Sequence, residues 1–593
     1  MSLSFLATTT PTTTSVNNPS FDRRSSKGTH SVVPTLIRKR FSPTSCEQKR
    51  EGNGAERSGI DRRDVLVGLG GLCGATAAFG NNMAVGAPVQ PPDLSACRLA
   101  NDLQLVNRVE CCPPYGTTTI TDFVLPDPSE PMRVRRSSEA LAADPAYLEK
   151  FRRAVALMKA LPADDPWNFM QQAQIHCAYC NDAYTQVGFP AVSLQLHGSW
   201  LFLPWHRYYI YFWEKILGKL IDDPTFAIPY WNYDQPSGMR FPDIYKNSPK
   251  DQNPLFDCIR NPEHINGAVM DYRYEFGDPN PTPEQEETVI LENQKYLYNM
   301  FAENLFNPGN FMGQPISEGQ TLNAPGTLEN LHAIPHRFAS QVERPRWNMG
   351  NFHTAARDPI FYAHHAQVDR LWSIYKERRA ITTPEFPTEE WLEASFIFYD
   401  ENRNVVKCKV RDCLDPTNLR YMYQTDEKAW LNIRRSYYAQ KRAAPRSAGA
   451  DELVAISEFG TEPRLLDTTI RVLVTRPKAS RSQEEKDEAA ENIFIDDFTF
   501  DHTDYAGFDV FVTKATEGLA TADLGEFAGS FVHIPHAHGP SDHRNILHLG
   551  ITYLLEDIAD AEASEQLVVS IVPRSGVITL TGVSIQLVPK EGI

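Results

Sequence analysis

Apolar side chains recur every three or four positions through much of the chain between about residues 140 and 375. Trp205, Tyr209 and Phe212, for example, fall on one side of a helix. Stretches rich in proline, asparagine and glycine, such as residues 229–266, separate these helical segments. The pattern predicts a bundle of helices joined by long loops.

After about residue 450 the apolar period changes to two. Alternation of this kind predicts β-strands, because successive side chains of a strand point to opposite faces of the sheet. A shorter alternating run surrounds residues 396–399. The predicted C-terminal strands are residues 469–474, 508–512, 567–572 and 577–587. We expect them to form an antiparallel β-sandwich.

These patterns divide the chain into four parts. A mainly α, loop-rich core spans residues 88–425 and is followed by an exposed linker, residues 426–450, which is rich in basic and small side chains. The β-sandwich domain occupies residues 451–593. Residues 1–87 differ in composition from all of these and form a leader.

The leader has two stages. Residues 1–46 contain a single acidic side chain, Asp22, together with six basic ones and many hydroxyls, which is typical of an organellar transit peptide. Arg62 and Arg63 then precede an apolar run, residues 65–78, that suits a twin-arginine signal. The combination resembles the leader of a plant protein sent to the thylakoid lumen of the chloroplast.

Charge and hydropathy exclude some classes of protein. The net charge of −17 argues against a nucleic-acid partner. No run of about 18 apolar residues occurs, so we expect no membrane-spanning helix. Ten cysteines in 593 residues are too few for a disulfide scaffold, although they can hold one region together. The oligomeric state stays open.

Histidines carry the candidate chemistry. Two triplets stand within short stretches of the chain, and two members of the second triplet are four residues apart, so they share one helix face. Imidazole suits Cu, Zn, Fe and Ni, and two all-nitrogen sites without a carboxylate favour a pair of copper ions. The triplets are His176, His197 and His206, and His332, His336 and His365.

Three segments around these histidines carry a resemblance to a known family. They are residues 176–180 (HCAYC), 203–207 (LPWHR) and 358–372 (DPIFYAHHAQVDRLW). They resemble the copper motifs of plant polyphenol oxidases, which belong to the type 3 copper group with tyrosinases and hemocyanins. Segments 398–402 and 508–512 resemble the middle and C-terminal domains of the same family, so the resemblance covers essentially the whole chain.

The resemblance implies an activity. In this family each chain holds a pair of copper ions, which uses O₂ to oxidise small phenols. The o-diphenols become o-quinones, and O₂ is reduced to water. By the same resemblance His176, His197 and His206 bind the first copper. His332, His336 and His365 bind the second, and His364 supports them without binding.

The cysteines are also interpreted through the family. The resemblance implies disulfides between Cys97 and Cys112 and between Cys111 and Cys177. It also implies a thioether that joins Cys180 to His197 and fixes that ring. Whether Cys408 and Cys413 pair stays open.

Four further residues are candidates for contact with substrate. Phe352 matches the aromatic residue that overhangs the copper pair, and Ala333 and Arg337 follow two ligands directly, at the entrance. Glu329 is the candidate to hold a water that deprotonates a monophenol, but its motif is one residue shorter than the family's usual Glu-Asn-x-Pro-His. Many monophenol-hydroxylating relatives carry Asn where this chain has Ala333. We therefore expect a catechol oxidase with weak or absent monophenolase activity.

The C-terminal domain resembles the one that covers the copper site in latent forms, and the linker is the expected cleavage region. We interpret His533, His536 and His538 in this domain as structural. Alternative functions are a specialised phenol hydroxylase of the aurone or lignan type, a hemocyanin-like O₂ carrier without turnover, and a dizinc hydrolase. Such hydrolases usually have a bridging carboxylate, which neither triplet contains.

Overall fold

The computed structural model describes most of the chain from residue 86 onward. Predictions about the leader up to residue 85, about linker residues 434–452 and about His538 lie outside the described residues. The described ranges are 86–101, 108–114, 119–246, 253–273, 281–341, 346–380, 383–433, 453–515, 519–521, 524–536 and 544–590.

Helices dominate the first part, as the 3.6-residue period predicts. Several begin at a side-chain cap followed by proline, as at Asp144–Pro145 and Thr282–Pro283, where the proline lacks only an N–H that would be unpaired anyway. The helices are α1 (Ser138–Ala142), α2 (Pro145–Ala160), α3 (Phe169–Cys180), α4 (Phe202–Leu220), α5 (Pro262–Ile265), α6 (Pro283–Asn304), α7 (Pro308–Met312), α8 (Thr327–Ala339), α9 (Ile360–Arg379), α10 (Glu389–Leu392), α11 (Gln483–Glu488) and α12 (Leu554–Asp557).

Small sheets brace this helical core. The alternating run around residues 396–399 is a strand, as predicted, and it forms a three-stranded sheet in the order β3-β8-β7. The other core strands pair two by two, β1 with β2, β4 with β9, and β5 with β6. Their bounds are β1 (Ala100–Asn101), β2 (Arg108–Val109), β3 (Ile120–Asp122), β4 (Arg133–Arg135), β5 (Thr185–Gln186), β6 (Phe189–Ser193), β7 (Ser395–Tyr399), β8 (Val405–Lys409) and β9 (Tyr421–Tyr423).

The C-terminal part, called here the C-terminal domain (described residues from 453 to 590), is built of strands with two short helices. One antiparallel sheet has the order β12-β19-β15-β17 and another has the order β18-β13-β21. The strands are β10 (Leu453–Ala455), β11 (Arg464–Leu465), β12 (Ile470–Thr475), β13 (Ala489–Asp496), β14 (Thr499–Phe500), β15 (Ala506–Lys514), β16 (Leu519–Thr521), β17 (Glu526–His533), β18 (Ile546–Gly550), β19 (Gln566–Ser575), β20 (Ile578–Leu580) and β21 (Ser584–Pro589).

A second hydrophobic core lies between these sheets, with Val472 and Val510 from one and Ile493 and Leu549 from the other. The predicted combination of a mainly α core and a C-terminal β-sandwich is confirmed. The single strand predicted over residues 577–587 is wrong in one detail. It is two strands, because β20 pairs with β11 and β14 whereas β21 pairs with β13, so the chain changes sheets between them.

The C-terminal domain packs directly on the helical core, and the described residues from 86 onward belong to one compact unit. Strand β17 lies against α8, and all residues of α8 are buried in consequence. Asn330 of α8 accepts a hydrogen bond from the Val532 amide at 3.0 Å. Lys295 of α6 forms a buried ion pair with Asp557 at 2.6 Å. None of the helices in the described part of the chain has the length and hydropathy needed to cross a bilayer.

Candidate metal centre

The first histidine triplet converges in the structure. His176 lies on α3, His206 lies in the first turns of α4, and His197 lies in the loop before α4. Their ring nitrogens lie within 4.8 Å of one another, and all three rings are buried. The ring centroids are 5.1–5.6 Å apart. Residues distant in sequence therefore present three imidazoles to one point.

The second group contains four rings where three were predicted. His332 and His336 lie one turn apart on α8, and His364 and His365 lie side by side on α9, with their ring nitrogens again within 4.8 Å. His365 stacks on His206 at 4.3 Å, and His364 stacks on His332 at 5.1 Å. Both rings reach the site, so the choice of His365 as the ligand stays a prediction.

The two groups lie side by side. The His197 and His332 rings are 5.9 Å apart, and the His206 and His365 rings are closer still. Two metal ions held by these rings would be neighbours able to act on one small molecule. The alternative of two separate single-metal pockets is excluded by these distances.

Hydrogen bonds set the rings for metal binding. In five of the seven rings Nδ1 faces an oxygen that can only accept, so Nδ1 carries the proton and Nε2 the lone pair. These Nε2 atoms are buried and have no hydrogen-bonding partner among the described residues. The pairs are His176 with Phe352 O (2.9 Å), His197 with Gln195 Oε1 (3.2 Å), His206 with Phe202 O (2.8 Å), His332 with Glu329 O (3.3 Å) and His336 with Met349 O (2.8 Å).

Burial keeps these rings neutral. It lowers the pKa of His176 to about 3 and that of His336 to about 4, and it holds the pKa values of His197, His206 and His332 well below the usual range, with neighbouring imidazoles adding to the effect. Neutral imidazole is the form that binds metal. The two gathered groups contain histidines alone, which fits copper and does not fit a carboxylate-bridged zinc pair.

Phe352 covers the first triplet. Its ring stacks on His197 at 3.8 Å, and its carbonyl holds His176. On the opposite side Phe361 packs on His365 at 4.1 Å. Each histidine group is therefore in contact with an aromatic ring.

Glu329 lies beside the first triplet. Its Oε1 accepts a hydrogen bond from the Gly198 amide at 2.8 Å, directly after His197. Burial raises the pKa of this carboxyl to about 8, and the hydrogen bond from Gly198 opposes the shift. The carboxyl therefore reaches the site despite the shortened motif.

The predicted entrance residues are buried beneath the C-terminal domain. Ala333 is buried in α8. Arg337 donates a hydrogen bond to Ser575 Oγ at 3.1 Å, and its guanidinium lies over the Tyr505 ring at 4.5 Å. Burial lowers the pKa of Arg337 to about 9. The entrance that these residues would line is closed in this structure.

Residues 531–536, called here the covering segment, lie over the site. His536 packs on Phe352 with the ring centroids 4.8 Å apart, and Pro535 O accepts a hydrogen bond from the Phe352 amide at 3.3 Å. Sequence reasoning treated His536 as structural and missed this contact with the catalytic core. No local signal could have revealed it, because the partners are almost two hundred residues apart.

The cysteines agree with the resemblance in part. Disulfides join Cys97 to Cys112 and Cys111 to Cys177. Cys180, Cys408 and Cys413 are buried free thiols, so the last two do not pair. The Gln195 amide donates to Cys180 O at 3.1 Å while its oxygen faces His197 Nδ1, which brings Cys180 and His197 into one neighbourhood. The thioether stays a prediction.

An ion pair that sequence reasoning missed links two of the four helices that bear predicted ligands. Arg207, next to His206 on α4, donates to Asp369 on α9, one turn beyond His365. Asp369 also accepts hydrogen bonds from the hydroxyls of Tyr421 and Tyr423. Arg207 and Asp369 both lie inside the motifs quoted above, and this was the only sign in the sequence that they belong to the site.

Comparison with family models covers most of the described chain. Residues 166–378 match the common central domain of tyrosinase, residues 385–436 match the polyphenol oxidase middle domain, and residues 462–587 match the chloroplastic polyphenol oxidase C-terminal domain.

Curated proteins and solved structures that are similar to this chain agree with the family models. The chain is 40% identical to the chloroplastic polyphenol oxidase of Vitis vinifera over 98% of both chains, and 40% identical to the chloroplastic (+)-larreatricin hydroxylase of Larrea tridentata over 94% and 95%. It is similar to the structure of latent apple tyrosinase, with a TM-score of 0.70 and 39% identity over 79% of this chain and all of that one. A recombinant latent aurone synthase matches with a TM-score of 0.76 and 35% identity over 85% of this chain and all of that one.

Proposed function

Because the chain belongs to the plant polyphenol oxidase family of copper oxidoreductases, we propose that it is a catechol oxidase, made in a latent form. Two o-diphenols each lose two electrons and two protons to give o-quinones, and one O₂ takes up four of each to give two waters. The observation that carries the proposal is the pair of adjacent, buried histidine groups, whose Nε2 atoms have no hydrogen-bonding partner among the described residues.

The chain's own residues position the imidazoles and a bound phenol. A bound copper pair would supply the one-electron redox steps and the Lewis acidity toward a phenolate oxygen. Backbone carbonyls orient the imidazoles, so little reorganisation is needed during turnover. Phe352, stacked on His197, is placed to pack against the flat ring of a bound phenol.

We propose that o-diphenols are oxidised faster than monophenols. Hydroxylation of a monophenol needs a base for its less acidic hydroxyl, supplied through a water. The Glu329 carboxyl is held by the Gly198 amide, and Ala333 offers no polar atom to fix a water opposite it. Arg337, once uncovered, would favour a phenol that carries a carboxylate.

A specialised hydroxylase is the second candidate. The larreatricin hydroxylase is as similar to this chain as the grape polyphenol oxidase is, at 40% identity for both. A latent aurone synthase is among the similar structures. Similarity by itself therefore does not select between a catechol oxidase and a phenol-hydroxylating relative.

One experiment addresses both the centre and the activity. Copper per chain is quantified in the full-length protein, and O₂ consumption is then followed with catechol and with phenol after limited proteolysis. We expect two copper ions per chain and a catechol rate at least tenfold above the phenol rate. Equal rates would favour the hydroxylase, and reversible O₂ uptake with no quinone would favour an oxygen carrier.

Location follows from the relatives and the leader. Both curated relatives described above are named chloroplastic, which supports a chloroplast location. Arg62, Arg63 and the apolar run after them support transfer onward to the thylakoid lumen. Import assays with isolated chloroplasts test this, since replacement of both arginines by lysine should leave the protein in the stroma.

A further inference from the structure

Three histidines of the C-terminal domain come together outside the two histidine groups of the metal centre. His533 ends strand β17, His536 follows it in the covering segment, and His502 lies in the turn after β14. The sequence separates His502 from the other two by about thirty residues, so only the fold unites them. His533 and His536 are 5% and 4% exposed.

Their separations are those of a metal site. The ring centroids are 4.8 Å apart for His533 and His536, 5.2 Å for His502 and His533, and 6.2 Å for His502 and His536. The corresponding distances within the first copper triplet are 5.1–5.6 Å. His502 is the most distant of the three rings, so it must turn about its side-chain bonds to close on an ion, while His533 and His536 keep their positions.

Hydrogen bonds prepare two of these rings as they prepare the copper ligands. His533 Nε2 lies 2.9 Å from His502 O, and His536 Nδ1 lies 2.9 Å from Ile534 O. A carbonyl oxygen only accepts, so these nitrogens carry the protons and the lone pairs are on His533 Nδ1 and His536 Nε2. A metal-binding histidine usually donates its other N–H to a carbonyl in this way.

A carbonyl contact by itself does not make a ligand. His264 also places its Nδ1 2.8 Å from a carbonyl oxygen, that of Phe338, but its ring stacks on the Phe338 side chain. What distinguishes the C-terminal trio is the combination of this tautomer with two further imidazoles at metal-site distance.

We propose that His502, His533 and His536 form a third metal site, which takes a borderline divalent cation, Zn²⁺. Neutral imidazoles without a carboxylate suit this ion and do not suit Ca²⁺ or Mg²⁺. The ion joins the turn after β14 to the end of β17. It thereby stiffens the covering segment, whose His536 lies on Phe352.

The test is a titration of Zn²⁺ into the full-length protein with its copper pair in place. Copper binds nitrogen ligands more tightly than zinc does, so Zn²⁺ fills only an additional site. Calorimetry should give one Zn²⁺ per chain. X-ray absorption at the zinc edge should report imidazole nitrogens, and Zn²⁺ should raise the midpoint of thermal unfolding, because an ion that binds the folded chain stabilises it.

His502→Gln and His533→Gln should each weaken Zn²⁺ binding at least tenfold, and glutamine at position 533 retains a donor for His502 O. The matched control is His548→Gln, a histidine of the same domain that contacts Asp496 outside the trio, and it should bind Zn²⁺ as the wild type does. Absence of Zn²⁺ uptake by the wild-type chain would overturn the proposal, as would equal uptake by His502→Gln and His533→Gln. Neither result would affect the proposed oxidase activity.

Discussion

At the scale of single residues, the orientation and tautomer of each histidine ring matter as much as the number of histidines. Most of the predicted ligands donate Nδ1–H to a backbone carbonyl, and this one hydrogen bond both orients the ring and leaves Nε2 for the metal. Some of these carbonyls belong to the preceding helix turn, as that of Phe202 does for His206, and one belongs to a loop far away in sequence, that of Phe352 for His176. A triplet of histidines in a sequence therefore predicts a site, and the surrounding backbone completes it.

The pair of adjacent histidines on α9 allows a direct test. His365→Ala should reduce copper from two ions to about one per chain and lower catechol oxidation at least a hundredfold, because one imidazole of the second group is lost. His364→Ala is the matched control and should retain two coppers. Copper analysis and O₂ uptake measure both. The reverse result, in which His364→Ala loses copper and His365→Ala keeps it, would reassign the ligand.

Ala333 is the position at which monophenolase activity can be tested. Ala333→Asn places an amide beside His332, where it can hold a water near Glu329, so the ratio of phenol to catechol turnover should rise severalfold. Ala333→Leu, of similar size without the polar atoms, should leave the ratio unchanged. Initial rates on both substrates after proteolysis provide the measurement. An equal rise in both variants would attribute the effect to packing.

At the scale of elements, a buried charge network holds two of the ligand-bearing helices together. Asp369 of α9 receives Arg207 from α4 and Arg135 from β4, and it accepts hydrogen bonds from Tyr421 and Tyr423 of β9. All five side chains are buried or nearly so. The pairing of helices α4 and α9, and with it the distance between the two histidine groups, depends on this carboxylate.

Asp369→Asn should therefore lower the free energy of unfolding by about 3–5 kcal/mol, because it leaves the buried Arg207 guanidinium without its counter-charge, whereas Arg135 keeps Glu214. Tyr423→Phe removes one hydroxyl from the same carboxylate and should cost about 1 kcal/mol. Denaturant unfolding compares the two. Copper content should fall in Asp369→Asn and not in Tyr423→Phe, and a stable, copper-loaded Asp369→Asn would refute the role given to this network.

At the scale of the whole molecule, the C-terminal domain and the core meet over α6 and α8. Glu303 of α6 is buried at this boundary and accepts a hydrogen bond from the Leu554 amide at 2.6 Å. Burial raises its pKa to about 7, with Asp557 and Glu556 nearby adding to the shift and the hydrogen bonds from the Tyr553 and Leu554 amides opposing it. The boundary therefore contains a carboxyl that prefers to be protonated.

This shift predicts a pH dependence. Between about pH 4.5 and 7 the folded chain binds more protons at Glu303 than the unfolded chain does, so the free energy of unfolding falls as the pH rises through this window. Glu303→Gln keeps an acceptor for Leu554 and removes the charge. At pH 8 the free energy of unfolding of Glu303→Gln should exceed that of the wild type by about 1–3 kcal/mol, and at pH 4 the two values should agree. Glu287→Gln, exposed on the same helix, should follow the wild type at both values.

Latency is also a property of the whole molecule. Cleavage within the linker should raise catechol oxidation at least tenfold, because the C-terminal domain can then leave Arg337 and Phe352. Trypsin suits the cut, since the linker contains Arg434, Arg435, Lys441, Arg442 and Arg446. A chain with serine at these five positions should stay latent under the same treatment. Unchanged activity after a verified cut would contradict the covering role.

The sequence by itself determined much of the architecture and the kind of chemistry. Apolar periods of 3.6 and 2 separate the helical core from the β-sandwich because each depends on local geometry that neighbouring residues share. The spacing of His332 and His336, four residues apart on one helix, likewise predicted that both rings lie on one helix face. The family motifs around His176, His206 and His365 then indicated copper, and two disulfides were predicted correctly.

The tertiary structure alone decided which distant groups meet. The approach of His206 to His365, the hydrogen bond of His176 to the Phe352 carbonyl, and the burial of Arg337 under Tyr505 all join segments whose sequence separation carries no local signal. The same holds for the contact of His536 with Phe352 and for the joining of His502 to His533. Periodicity reports which face of an element is buried, and only the packing of whole elements determines what that face is buried against.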